Sequence, residues 1–286
     1  MKMSKLKNLL NTLDHTNGAK MVADLKQVLP MLLATENPNG HWVKFGEKFL
    51  NFLETGKPAF SIFTEGNSKL PFLSFSSMPF ISCRGMGSCE DFCYSIKAWR
   101  YPAAFFRMLQ NFILLQTYNG REYLLSALID TLDRPKFKAL ERVDFRLYVD
   151  GDFNSEFEVG FWFSVLMQNP KLRAYGYSKS FAEILAYFEN GYTAPENYVL
   201  NVSSGHKHTS ATVEQVKALP ITRGDFIAVK ISDKNLKPKT REYREAVKTA
   251  HNGNGFVCPS KCGECLATGH ACGIKSISKP ILIAVH

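Results

Sequence analysis

The sequence predicts an α/β fold, a partial (β/α) barrel of about six parallel strands behind an N-terminal helical extension. Three observations carry this expectation. From Phe72 onward, short apolar runs alternate with longer segments of helical period. Two of the runs, FIAVKI and PILIAV, are nearly continuously apolar, as strands covered on both faces are. Residues 1–57, by contrast, repeat their apolar positions only at helical spacing.

The elements run in order. Leu6, Leu9, Leu10 and Leu13, then Met21, Leu25, Leu29 and Leu32, then Phe45, Phe49, Phe52 and Leu53 predict helices through the extension. Turn residues in GKPAF and EGNSKLP place a boundary near 56–70, dividing the chain into a helical extension, 1–57, and a barrel-like domain, 70–286. The first strand is LPFLSFSS, with a helical segment over Ala98–Ile129 behind it. VDFRLYV is followed by Glu156–Met167, LRAYGY by Phe181–Phe188, and NYVLNV by Val213–Leu219. FIAVKI leads into a charged segment around Arg241–Lys248, and PILIAV closes the series. Strands joined by helical crossovers are parallel, and in parallel β/α folds the chemistry sits in loops at the C-terminal ends of the strands.

Those loops hold the polar residues. After the first strand come Ser76, Ser77 and a cysteine group; after the second, Asp150, Gly151 and Asp152; after the third, Tyr177, Ser178 and Lys179; after the fourth, Ser203, Ser204, Gly205 and His206. All are expected to converge on one rim. Each loop alone also reads as an ordinary turn or helix cap. Arg146 alternates with Tyr148 inside a strand, so it points to the barrel interior or the opposite face, or else forms a buried ion pair with Asp144 or a neighbour.

The chain has 286 residues, 35 Lys+Arg against 26 Asp+Glu, and a formal charge of +9. At 45% hydrophobic and 13% aromatic it buries a large core, which excludes disordered and fibrous classes. No apolar run approaches the roughly 18 residues of a membrane span, so no membrane partner is expected. The opening MKMSKLKNLLNTLDHTNG reads as an amphipathic helix and not a secretory leader, which predicts a cytoplasmic protein. The basic balance keeps a nucleic-acid partner open, although the cations are spread and form no run of five or six.

Seven cysteines form two groups, separated by 164 residues that contain none. In a reducing compartment such clustering points to metal or redox chemistry and away from disulfides. Cys83, Cys89 and Cys93, in SCRGMGSCEDFC, are three thiols on a glycine-rich loop. A structural zinc site is closed by four ligands, whereas three cysteines on an iron–sulfur cluster leave one iron open. Cys258, Cys262, Cys265 and Cys272 can fully ligate either zinc or a cluster, with His270 able to replace one of them. One cysteine of the second group could instead complete the first.

Cys89-Glu90-Asp91-Phe92-Cys93, with an aromatic residue before the last of three cysteines, resembles the cluster loop of radical S-adenosylmethionine enzymes, at a wider spacing. More broadly, CEDFCYSIKAWRYP, RLYVDGDFNSE, YGYSKS, NVSSG and the C-terminal quartet resemble the gene-product-88 family of phage and plasmid proteins over about residues 70–275. The resemblance implies a mobile-element context and an iron–sulfur site. By it, Cys83, Cys89 and Cys93 would ligate a [4Fe-4S] cluster, while Asp150, Gly151, Asp152, Ser203, Ser204 and His206 would hold S-adenosylmethionine as a small-molecule cofactor. Tyr177, Lys179 and Arg146 would bind substrate. The quartet would hold a second iron–sulfur cluster or zinc. The competing expectation is a zinc-stapled, basic nucleic-acid-binding protein acting in replication or transfer, with YSIKAWRYPAAFFR as its aromatic and basic surface. In a helix, Trp99, Phe105, Phe106, Leu109 and Phe112 read more often as core. No nucleophile elbow or phosphate-cradling motif supports conventional hydrolysis.

Overall fold

The protein is described from a computed structural model, covering residues 1–233, 235–263, 265, 266 and 269–285. Three helices open the chain, α1 (Met3–Thr12), α2 (Gly18–Leu33) and α3 (His41–Thr55). The Asn17 side chain accepts from the Lys20 N–H and so starts α2, while left-handed Gly56 ends α3. The extension packs directly on the α/β part of the chain. Trp42 meets Phe105 and Phe106, each at 5.7 Å between ring centroids, and Phe49 stacks on Phe106 at 5.1 Å. Leu6, Leu25 and Phe49 belong to the same buried cluster as the sheet residues Phe75, Phe145 and Leu200.

The strands are β1 (Phe63–Thr64), β2 (Leu73–Phe75), β3 (Val143–Arg146), β4 (Leu172–Ser178), β5 (Tyr198–Ser203), β6 (Thr222–Val229), β7 (Phe256–Val257) and β8 (Ile281–Ala284). They form one sheet in the order β1-β2-β3-β4-β5-β6-β8-β7, parallel throughout except for the β1–β2 pair. The strand count thus corrects the expected six to eight. β1 and β7 have two residues each, too few for any hydrophobic period to register. The pairing does not establish a barrel: the sheet ends at β1 and β7, and no ladder among the described residues joins them.

Between the strands run α4 (Tyr94–Lys97), α5 (Pro102–Gln116), α6 (Tyr118–Leu132), α7 (Pro135–Lys138), α8 (Glu156–Gln168), α9 (Phe181–Glu189), α10 (Ser210–Lys217) and α11 (Arg241–Ala250). The single segment expected over 98–129 is broken. Thr117 is extended and its side chain accepts from the Gly120 N–H, which caps a new helix at α6. Ser155, Thr209 and Thr240 start α8, α10 and α11 in the same way.

Alternation along the strands gives the sheet two unlike faces. Leu73, Phe75, Val143, Phe145, Ala174, Leu200 and Val202 pack with α5, α8 and α9 in the main core, and Leu282 and Ala284 meet α11 residues Tyr243 and Val247. The opposite face presents Phe72, Tyr175, Tyr177, Val199, Phe226 and Ile281 to a cover made from the C-terminal segment, including Cys258, Cys265, Ala271 and Cys272. The helices therefore take one face, and the second cysteine group takes the other.

Candidate functional site

The loops after β2, β3, β4 and β5 meet at one rim, as expected. Ser76 Oγ donates to Asp150 Oδ2 (3.1 Å) and the Ser77 N–H to the Asp150 carbonyl (2.9 Å). Lys179 Nζ reaches Ser203 Oγ (2.8 Å). The cysteine loop is knitted into this rim through its backbone: the N–H groups of Gly87 and Cys89 both donate to Gly205 O (3.1 Å each), and the Lys207 N–H donates to Gly85 O (3.1 Å). Glycine is required for this approach. A Cβ on Gly85 would lie 1.5 Å from the Lys179 carbonyl oxygen, and one on Gly87 would lie 2.7 Å from the His206 carbonyl carbon.

Asp152 is the buried hub of the rim. Its Oδ1 accepts from Ser178 Oγ (2.7 Å) and the Phe153 N–H (2.9 Å), and its Oδ2 from the Lys179 N–H (2.7 Å). Gly151, at φ +80°, makes the turn that aims Asp152 inward, where its own N–H donates to Ser82 Oγ (3.1 Å). Burial raises the Asp152 carboxyl against these hydrogen bonds. Just before the turn Tyr148 sits at φ +58°, strained for an aromatic residue. Its hydroxyl donates to buried Glu158, whose carboxyl burial pushes up to about 8. Ser204 serves the sheet, since its Oγ accepts from the Ala228 N–H (2.9 Å).

At the rim, Cys83 is pushed up to about 12 by burial and then by the Asp152 charge, with Lys179 pulling the other way. Cys93 is raised by burial, while the N–H groups of Ile96 and Ser95 and the Lys179 charge hold it down and Cys89 raises it. His206 lies 5.0 Å from the Phe181 ring, its Nδ1 buried without a partner, and burial lowers its pKa. His208 Nε2 is fixed on the Lys179 carbonyl (2.7 Å).

The C-terminal quartet lies over the opposite face of the sheet. The Ser260 N–H donates to Cys258 Sγ and the Ala271 N–H to Cys265 Sγ, both at 3.4 Å. Burial pushes the Cys272 thiol up to about 12, while a hydrogen bond from Tyr177 works to hold it down. Cys258 is pushed up to about 11, again by burial. No disulfide joins any of the seven cysteines. Among the described residues, no three Cys, His, Asp or Glu side chains are grouped to hold a metal ion. The cysteines of each group therefore share a neighbourhood without forming a closed ligand shell.

Arg146 lies between the two cysteine groups, and of the readings open for it the ion pair with Asp144 is not the one formed. Asp144 is opposite Arg173 in the β3–β4 register and accepts from its Nε (2.7 Å). Arg146 instead donates from Nη2 to Tyr94 Oη (3.2 Å), beside Cys93, and lies 4.9 Å from the centre of the Tyr177 ring. His270 is buried between Tyr175 (4.2 Å) and Phe72 (4.8 Å), with Nε2 3.6 Å from Asp144 Oδ1. It faces the ion pair.

Two residues that sequence reasoning missed anchor the quartet to the sheet. Asn201, fully buried, donates to the carbonyls of Gly176 (3.1 Å) and Cys272 (2.9 Å). Arg223 donates to Asn201 Oδ1 (2.6 Å) and to the carbonyls of Ile277, Lys279 and Asp225 (2.7, 2.9 and 2.7 Å). The one signal in the sequence is Asn201, a polar residue inside the apolar run NYVLNV; Arg223 stands ahead of the run FIAVKI and gives none. The aromatic and basic segment is divided: Trp99, Phe105 and Phe106 are 0% exposed, as are Leu109 and Phe112 beyond it, whereas Tyr94, Lys97, Arg100 and Tyr101 are exposed.

A mostly parallel α/β sheet with cysteines gathered at its strand ends and across one face defines a class of cysteine-rich α/β proteins. The profile of the gene product 88 family matches residues 53–277, and the chain belongs to that family. No curated protein and no solved structure matches it. No helix among the described residues is long and apolar enough to cross a membrane.

Proposed function

We propose that the chain is an iron–sulfur protein of a mobile element. In this reading Cys83, Cys89 and Cys93 hold a [4Fe-4S] cluster open at one iron, and Cys258, Cys262, Cys265 and Cys272 hold a second cluster or zinc. The observation that carries the reading is the set of donors turned toward sulfur: the N–H groups of Ser260 and Ala271, the Tyr177 hydroxyl, and the N–H groups of Ile96 and Ser95. Hydrogen bonds to sulfur are what a thiolate-bound cluster uses to stabilise its charge. Metal binding would draw together sulfurs that already share a neighbourhood and release their protons.

The sequential order of β2 to β6, with helices on one face, supports a partial-barrel reading with the trio at its mouth. When bound there, the cluster would supply an electron to S-adenosylmethionine. In that arrangement Gly151, Ser203, Ser204 and His206 would hold the cofactor. Asp150 would serve from beside Ser76, and Asp152 would act by fixing the Lys179 backbone. Lys179, Tyr177 and Arg146 would supply cation and ring surface for a substrate. The test is an optical spectrum with iron and sulfide analysis of protein prepared anaerobically. A brown solution absorbing near ~400 nm is expected; zinc alone at both groups would favour the zinc-stapled alternative instead.

A further inference from the structure

The Arg146 guanidinium is an anomaly in a folded chain. Its Nε is enclosed and has no hydrogen-bond partner, and no carboxylate among the described residues pairs with it. The residue is half-buried, and an enclosed guanidinium nitrogen with no acceptor is costly, so an anion belongs beside it. The local acid is already engaged, because Asp144 is held by Arg173. What surrounds Arg146 is aromatic and sulfur-bearing: the Tyr177 ring at 4.9 Å, Tyr175 beside Tyr177 at 6.0 Å, and Cys258, Cys265 and Cys272 in the cluster those two tyrosines share. The buried Tyr175 hydroxyl also lacks a conventional partner and lies next to Cys262.

We propose that Arg146 is the positioning counter-charge of the C-terminal quartet, the half-buried cation that balances the negative charge four thiolates bring when they close on a metal. This rests on the reading of the quartet as a metal site. The balance is simple: four thiols release four protons, and zinc with four thiolates is a dianion; an iron–sulfur cluster on four thiolates is likewise anionic. Arg146 packs on Tyr177, which shares a cluster with Cys258, Cys265 and Cys272, and its Nη2 donates to Tyr94. Because Tyr94 directly succeeds Cys93 in the chain, the same hydrogen bond ties the quartet's counter-charge to the rim loop.

The test uses the full-length chain and zinc at free concentrations set by a chelating buffer. Each cysteine is tracked separately by alkylation and peptide mass mapping, so the quartet and the trio are read independently. In the wild type, zinc is expected to protect Cys258, Cys262, Cys265 and Cys272. Arg146→Met should raise the free zinc needed for half-protection of those four by about 10- to 100-fold, and Arg146→Lys, which keeps the charge, should recover most of that loss. Circular dichroism of both variants reports whether they fold. A folded Arg146→Met protein protected at the wild-type zinc concentration overturns the counter-charge while leaving the metal site standing. Equal losses in the Met and Lys variants overturn it too, by showing that shape and not charge matters. A wild-type quartet that zinc never protects overturns both the metal reading and the inference built on it.

Discussion

Asn201→Leu should unlatch the C-terminal cysteine segment from the sheet. Leucine keeps most of the volume but removes two donors and one acceptor from a fully buried position. Three groups then lose a partner: the Gly176 carbonyl, the Cys272 carbonyl and the charged Arg223 Nε. At about 1–3 kcal/mol for each buried group left unsatisfied, with the charged one at the upper end, the cost is about 5–9 kcal/mol. For a chain of this size that lowers the melting temperature by roughly 10–36 °C. The loss should be local first, because Asn201 and Arg223 together fix residues 272–279. Limited proteolysis is therefore expected to cut between 258 and 279 well below the global melting temperature. Arg223→Met should reproduce the effect, and the double variant should cost less than the sum of the singles, since each removes a partner of the other. A variant that melts within about 2 °C of the wild type, with unchanged proteolysis, would refute the latch.

Further expectations concern the rim and the core. Gly85→Ala forces a Cβ into the Lys179 carbonyl, which no side-chain rotation relieves, so in urea titration it should destabilise by about 3 kcal/mol or more and expose Cys83 and Cys89 to alkylation. Gly253→Ala, whose new Cβ would come no nearer than 3.8 Å to the His251 carbonyl oxygen, should be nearly neutral in the same titration. Lys179→Met removes a charge that lowers the Cys93 thiol, so alkylation of Cys93 at mildly alkaline pH should slow several-fold. Glu158 has a raised folded pKa, so its protonated form favours the native state. That contribution is fully present below its ordinary carboxyl range and fades as pH rises toward about 8. Stability measured from pH 5 to 8 should fall in the wild type and flatten in Glu158→Gln.

Alternation made much of the sheet legible. Val143 and Phe145 point one way and Asp144 and Arg146 the other, which is enough to place a strand and its faces. Convergence of the polar loops came from parallel topology alone. What escaped were features decided by partners distant in sequence. Asp144 chose Arg173 across the β3–β4 register over its own neighbour Arg146. Asn201 looks like an interruption of an apolar strand, and Arg223 like a polar residue ahead of one, until the segment from Cys272 to Lys279 folds over them. Thr117 split one helix into two because a single side-chain cap outweighed a continuous apolar pattern. The edge strands β1 and β7 were too short to carry a pattern at all.

Whether the two cysteine groups are separate iron–sulfur or metal sites is decided by iron and acid-labile sulfide per chain in protein purified without oxygen. The comparison is among the wild type, a variant with Cys83, Cys89 and Cys93 changed to Ser, and one with the quartet changed to Ser. Two separate cysteine sites predict iron and sulfide in the wild type, loss of the trio's share in the first variant, and retention of that share in the second. Protein that retains neither iron nor sulfide, with the same metal content in all three chains, would contradict it.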